Sequence, residues 1–191
     1  MSQTISERLN QVVDKLLSKE LLSNSGLGNE IGFYIFDYSP SDELVVRAFI
    51  GTITSQIKKR NAALRFTHLN LFETIVQYLK DRKILDKAYD LQKNKGDGEL
   101  QKALKGPLHE EKIAKYLVTL APPEENDLVI LSGVGSAYPL LRSHTLLNSL
   151  HPLMNSTPLV MFYPGHFDGQ GLRLFGKLKE NNYYRAFPLV P

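Results

Sequence analysis

The sequence predicts an α/β fold: a single three-layer domain spanning residues 1–191, with a largely parallel central sheet of about five strands and helices on both faces. Three observations carry that prediction. Short β-favouring runs recur along the chain, and stretches of helical periodicity separate them. Two of the runs, residues 31–38 and 127–131, are apolar at almost every position, as expected of strands covered on both faces. Finally, a glycine-containing turn at residues 132–136 joins a strand directly to a helix, a junction typical of open α/β sheets.

The elements follow in order. Ile5, Leu9, Val12, Val13, Leu16 and Leu17 fall at helical spacing and predict an amphipathic helix over residues 5–22, ended by the glycine- and asparagine-rich stretch 23–29. The strand 31–38 comes next. A turn at 39–43 then opens a helix to about Lys59, with Ser41 or Asp42 placed to cap it. Residues 65–71 form a second strand, followed by a helix from Phe72 to about Lys80 and another through Ala88 to Gln92. Gly96 and Gly98 interrupt the chain before two short helices, 99–104 and 108–120, with Gly106 and Pro107 between them. The strand 127–131 leads through the turn into a helix opened by Tyr138 and Pro139 and carrying Leu140, Leu141, Leu146, Leu147 and Leu150. A strand at 158–163 is stopped by Pro164 and Gly165. Residues 183–189 make a terminal strand that Pro188 ends or confines to a sheet edge.

Composition narrows the function classes. A 42% hydrophobic and 23% charged chain is ordinary for a globular protein. No apolar run reaches the roughly 18 residues of a membrane span, and no signal-peptide pattern opens the sequence, so a cytoplasmic protein is expected. The absence of cysteine excludes disulfides, thiol nucleophiles and cysteine-bound metals. The net charge of +3 falls short of a dedicated nucleic-acid binder. Two basic clusters stand out: Lys80, Arg82, Lys83, Lys87, Lys93 and Lys95, and then Arg173, Lys177, Lys179 and Arg185. Each reads as a solvated surface or as a face for an anionic partner.

The turn Ser132-Gly133-Val134-Gly135-Ser136 is the motif with most chemical content. Gly133, Gly135 and Ser136, with Arg142 beyond them, are candidates for gripping a phosphate or carboxylate. The layout is P-loop-like or Rossmann-like without a Walker A motif, because no lysine follows the second glycine and Tyr138 stands where a third Rossmann glycine is required. A tight structural turn is the competing reading. His144 and His151 lack a carboxylate partner at zinc spacing, so no metal site is expected. Asp37 and His68 could pair as a general base at the sheet's carboxyl edge, or serve as a turn former and a satisfied core histidine. No nucleophile elbow of the Gly-x-Ser-x-Gly type occurs, so no catalytic residue or cofactor is assigned. Tyr163, His166, Asp168 and Arg173, together with Tyr183, Tyr184 and Arg185, combine residue types frequent at protein interfaces and are candidate partner contacts. Asp168-Gly169 is also a turn signal.

With these residues set out, the chain resembles the BrxB family of bacteriophage exclusion (BREX) systems. The likeness lies in residues 28–38, with Gly28, Gly32, Phe33 and Asp37; in 132–144, from Ser132 and Gly133 through Pro139 to Arg142 and His144; and in 159–187, with Tyr163, Pro164, Gly165, Gly176, Tyr183, Tyr184 and Phe187. It implies a part in restricting phage infection beside a PglZ-like protein, a BrxC-like ATPase and a PglX-like DNA methyltransferase. The family offers no catalytic residue to map. Two readings therefore stand: an adaptor or scaffold that joins such subunits, and a nucleotide- or nucleic-acid-binding regulator or enzyme using the turn 132–136 and Arg142. An adaptor would bury about 800 Å² or more per partner, whereas electrostatic DNA binding would weaken steeply with salt.

Overall fold

The computed structural model describes residues 3–23, 32–179 and 186–191. The turn expected at 23–29, the start of the first strand and the candidate contacts Tyr183, Tyr184 and Arg185 lie wholly or mostly outside those residues.

The first helix, α1 (Ile5–Leu16), begins where Thr4 and Glu7 cap each other: Glu7 N–H donates to Thr4 Oγ1, and Thr4 N–H donates to Glu7 Oε2 at 2.7 Å. Its apolar stripe, Leu9, Val12, Val13 and Leu16, is buried. Each such fully buried aliphatic side chain contributes about 1.5–3 kcal/mol. A short α2 (Lys19–Leu22) follows, then β1 (Phe33–Tyr38) and α3 (Glu43–Arg60). A 3-10 turn at Pro40–Asp42 leads into α3, and neither Ser41 nor Asp42 caps it: Asp42 makes no side-chain cap bond, and Ser41 Oγ pairs with Ser39 Oγ instead.

The chain continues through β2 (Phe66–Asn70), α4 (Leu71–Asp81), α5 (Leu85–Leu104) and α6 (Glu110–Leu120). The break expected near Gly96 is present as a kink inside α5, where Gly96 has φ of 80°. Then come β3 (Leu128–Ser132), α7 (Val134–Ala137), α8 (Ser143–Leu150), β4 (Leu159–Phe167), β5 (Leu172–Leu174), β6 (Leu178–Lys179) and β7 (Phe187–Pro188). The helix expected to open at Tyr138 opens at Ser143 instead. Tyr138 is extended, as a residue before proline prefers to be, so α7 stops at Ala137.

Five strands form a parallel sheet in the order β2-β3-β4-β1-β7. The expected class, a three-layer α/β arrangement with about five parallel strands, is the one observed. Side-chain alternation divides the sheet between two cores. Phe33, Ile35, Val129, Leu131, Leu159 and Met161 pack under α4, α6 and α8. Phe36, Tyr38, Leu128, Ile130, Val160 and Phe162 pack under α1 and α3. β7 lies at the edge, where Pro188 removes no inner ladder bond.

One strand outgrows the sheet. β4 does not stop at Pro164 and Gly165: past Pro164, which pairs with Tyr38, it exchanges β1 for β5 and continues to Phe167 as one arm of an antiparallel hairpin. Gly165 makes the exchange possible, since a Cβ there would stand 2.2 Å from Arg173 O. The tip is closed by Asp168, whose Oδ1 accepts from Gln170 N at 2.9 Å and Gly171 N at 2.7 Å.

Candidate functional site at the carboxyl edge of the sheet

α3, which leaves β1, packs on one face of the sheet, whereas α4, which leaves β2, packs on the other. The helices diverge above the carboxyl ends of the strands, the place where open α/β sheets hold ligands. A cleft of about 470 Å³ opens there, lined by Tyr38, Glu43, Arg47, Ile50, His68, Asn70, Phe72, Glu73, Ser132, Gly133 and Ser136, among others.

Strand register assembles its floor. Asn70 pairs with Ser132 across β2 and β3, and His68 pairs with Ile130. Ser132 therefore continues the Leu128–Ile130 row on the α3 side, and His68 stands beside that row. The result is a contact of 2.8 Å between His68 Nε2 and Ser132 Oγ. Burial pushes the His68 imidazole below its ordinary range, and the Glu73 carboxylate pulls it partway back. The neutral ring is thereby favoured.

Asn70 has two roles. Its Oδ1 accepts from Phe72 N at 3.0 Å and Glu73 N at 3.3 Å, capping α4. The same amide packs over Gly133, which has φ of 72°. Along the opposite wall, Tyr38 OH donates to Glu43 Oε2 at 2.7 Å and Arg47 bonds Glu43 Oε1 at 3.1 Å. Burial, then the Glu43 hydrogen bond, raise the Tyr38 phenol well above its ordinary value.

The expected phosphate-gripping set is only partly gathered. Gly133 and Ser136 line the cleft, but Gly135 packs against Phe175 and Pro164 in a smaller recess, and Arg142 lines neither. The open sides of both glycines are thus taken by protein atoms, which is the structural-turn reading of the motif. Asp37 and His68 do not pair: β3 and β4 separate their strands, so roughly 14 Å of sheet lies between them. Asp37 instead binds Arg8 at 2.8 Å and accepts from Phe167 N at 3.0 Å. His144 is buried in α8, and His151 packs edge-on against Phe33. Among the described residues no group of three or more His, Asp or Glu could hold a metal ion. The first basic cluster is exposed along α4 and α5; there Arg82 sits over the Tyr78 ring, and Asp81 accepts from Tyr116 OH.

The candidate contact residues separate sharply. Tyr163 is fully buried in the core, because β4 is covered on both faces at that point, so it cannot meet a partner. His166 and Arg173 are cross-strand partners on the outer face of the hairpin, with the His166 side chain 63% exposed. Asp168, at the tip, is exposed, and its carboxyl is held below the usual range by the Gln170 and Gly171 amides. Sequence reasoning missed the apolar side of the cleft, where Phe72 is 41% exposed. It also missed the His68–Ser132 contact, which only the strand register creates.

The fold and cleft define an open parallel α/β protein whose carboxyl edge carries both a polar cleft and a projecting hairpin, with no helix among the described residues long and apolar enough to cross a membrane. The family model for BREX protein BrxB matches residues 67–189. A BREX protein BrxB of Bacillus cereus (strain H3081.97) is 40% identical over 190 residues, covering 97% of each chain. Another, of Escherichia coli O9:H4 (strain HS), is 39% identical over 184 residues, covering 96% of this chain and 90% of the relative. The chain belongs to the BrxB family of BREX proteins, and is thus a component of a bacteriophage-exclusion system. No solved structure matches it.

Proposed function

We infer that the chain is an adaptor in the cytoplasm, holding other BREX proteins together through the carboxyl edge of its sheet. Its partners are a PglZ-like protein, the BrxC-like ATPase and the PglX-like methyltransferase. The observation that carries this reading is the hairpin: a strand pair projecting beyond the sheet and presenting the His166–Arg173 pair outward, while exposed Phe72 lines the cleft at the same carboxyl edge. Such a mix of apolar anchors and charge suits a protein interface better than a solvated loop. With Lys177 also exposed, the outer face of the hairpin is basic and fits an acidic patch on the partner.

Co-purification from cells carrying the complete system tests this. Tagged wild-type protein is expected to retain a BREX partner, and Arg173→Glu to lose about tenfold in capture at low salt, the gap between the two narrowing as salt rises and screens the charges. Arg173→Glu leaves thermal stability unchanged, because its side chain is exposed; Tyr163→Ala, in the core, lowers stability by about 3–5 kcal/mol. Capture of no BREX component by stable wild-type protein would overturn the adaptor reading.

A further inference from the structure

The cleft holds an arrangement that docking does not use. Ser132 ends β3, and the chain turns sharply at Gly133 in the left-handed region before the helical turn α7. This sets the hydroxyl at a strand-turn-helix junction on the floor of a cleft that reaches solvent, with the Ser132 residue itself only 4% exposed. His68 Nε2 lies 2.8 Å from Ser132 Oγ, within reach for proton transfer. Asn70 stands beside Ser132 in the sheet; its Oδ1 is turned to the α4 amides, and among the described residues its Nδ2 has no protein acceptor. The amide lies over Gly133, the residue after Ser132, and an amide N–H close to a nucleophile is the kind of donor that stabilises a developing oxyanion.

We propose that Ser132 is a nucleophile for carboxylic esters, with His68 as its general base and Asn70 Nδ2 as the donor to the oxyanion. Ser132 Oγ bonds to the ester carbonyl carbon while its proton passes to His68 Nε2, and the carbonyl oxygen takes the negative charge beside Asn70. Collapse breaks the bond to the leaving alcohol, which receives the proton from His68. Water, activated by the same imidazole, then releases the acid and restores the serine. The charged groups facing this centre are Glu73 from α4 and Glu43 and Arg47 from α3. Glu73 favours the imidazolium that forms in the step, and Arg47 is already bonded to Glu43. The apolar side of the cleft, Phe72 and Ile50, accepts the acyl chain. This capacity stands apart from the adaptor reading, and either can fail without the other.

The experiment begins with the full chain and an alkyl fluorophosphonate, read by intact mass and peptide mapping. The Ser132 oxygen–phosphorus bond forms, fluoride leaves and the proton goes to His68. One adduct is expected, on Ser132. It forms about a hundredfold more slowly in His68→Asn and more slowly in Asn70→Ser, which keeps the helix cap. Because the chain has no cysteine, Ser132→Cys creates a single thiol. Its alkylation by iodoacetamide is expected to titrate below the ordinary thiol value of about 8.5, and to return to that value when His68→Asn is added. No adduct on Ser132 in the folded wild type, an adduct formed as fast without His68, or an ordinary thiol in S132C would each overturn the proposal.

Discussion

The side-chain amide of Asn70 fills the space that a Cβ on Gly133 would need: Oδ1 would lie 2.2 Å away and Cγ 2.7 Å away. The two residues come from adjacent strands and hold each other in place, one as the cap of α4 and the other as the turn after β3.

That contact sets the outcome of three substitutions. Gly133→Ala meets both the amide and the left-handed backbone, and is expected to cost about 3 kcal/mol. Asn70→Ala loses the cap for about 1 kcal/mol. The double variant should lose less than the sum, since removing the amide vacates the space the new methyl needs. Urea denaturation of the four proteins reads the coupling directly, and strict additivity would contradict the packing described.

A second prediction concerns the clasp at Asp37. Arg8 donates to Asp37 O at 2.7 Å, Asp37 Oδ1 at 2.8 Å and Val190 O at 3.0 Å, while its guanidinium lies 4.9 Å from the Phe36 ring centre. Both charged side chains are only 18% exposed. Asp37→Ala leaves the guanidinium without its counter-charge and Phe167 N–H without its acceptor, and should cost about 3 kcal/mol. Arg8→Met keeps the packing on Phe36 and should cost less. Equal stability of D37A and wild type in a denaturant titration would remove the clasp as a stabilising element.

The third prediction is a pH dependence from His68. Its folded-state pKa is lowered, chiefly by burial, so the unfolded chain binds the proton more readily. The contribution is complete above the ordinary imidazole value of 6.5 and is lost as pH falls from there through the lower folded value. Wild-type stability should therefore drop between about pH 7.5 and about pH 5 by more than that of His68→Asn. Identical pH profiles for the two proteins, measured by chemical denaturation, would contradict this assignment.

Much of the layout was legible because the determinants are local. The uninterrupted apolar run at β3 marks a covered strand, Gly96 breaks α5 by its backbone conformation, and Pro188 stays at the edge for want of a donor. The start of α4 was readable to within a residue, at Phe72 against the observed Leu71, whereas the start of α8 was not: Pro139 looks like a helix opener, but it holds Tyr138 extended and the helix begins at Ser143. The site was not legible in the same way. His68 and Ser132 lie 64 positions apart, and they meet only because β2 and β3 pair in one register rather than a neighbouring one. Tyr163 misled for a related reason: its neighbours Pro164 and Gly165 look like a loop, but the strand passes through them into the hairpin.

The position of β7 bears on how the chain matures. Tyr34 and Ile35 find their outer neighbours only in Phe187 and Pro188, about one hundred and fifty positions later. On a ribosome, β1 has no partner on that flank until residues 187–188 emerge, and Arg8 likewise waits for the carbonyl of Val190. During synthesis this flank is a ready template for pairing with a neighbouring nascent chain. Yield in the cell should thus depend on how quickly translation delivers residues 187–190.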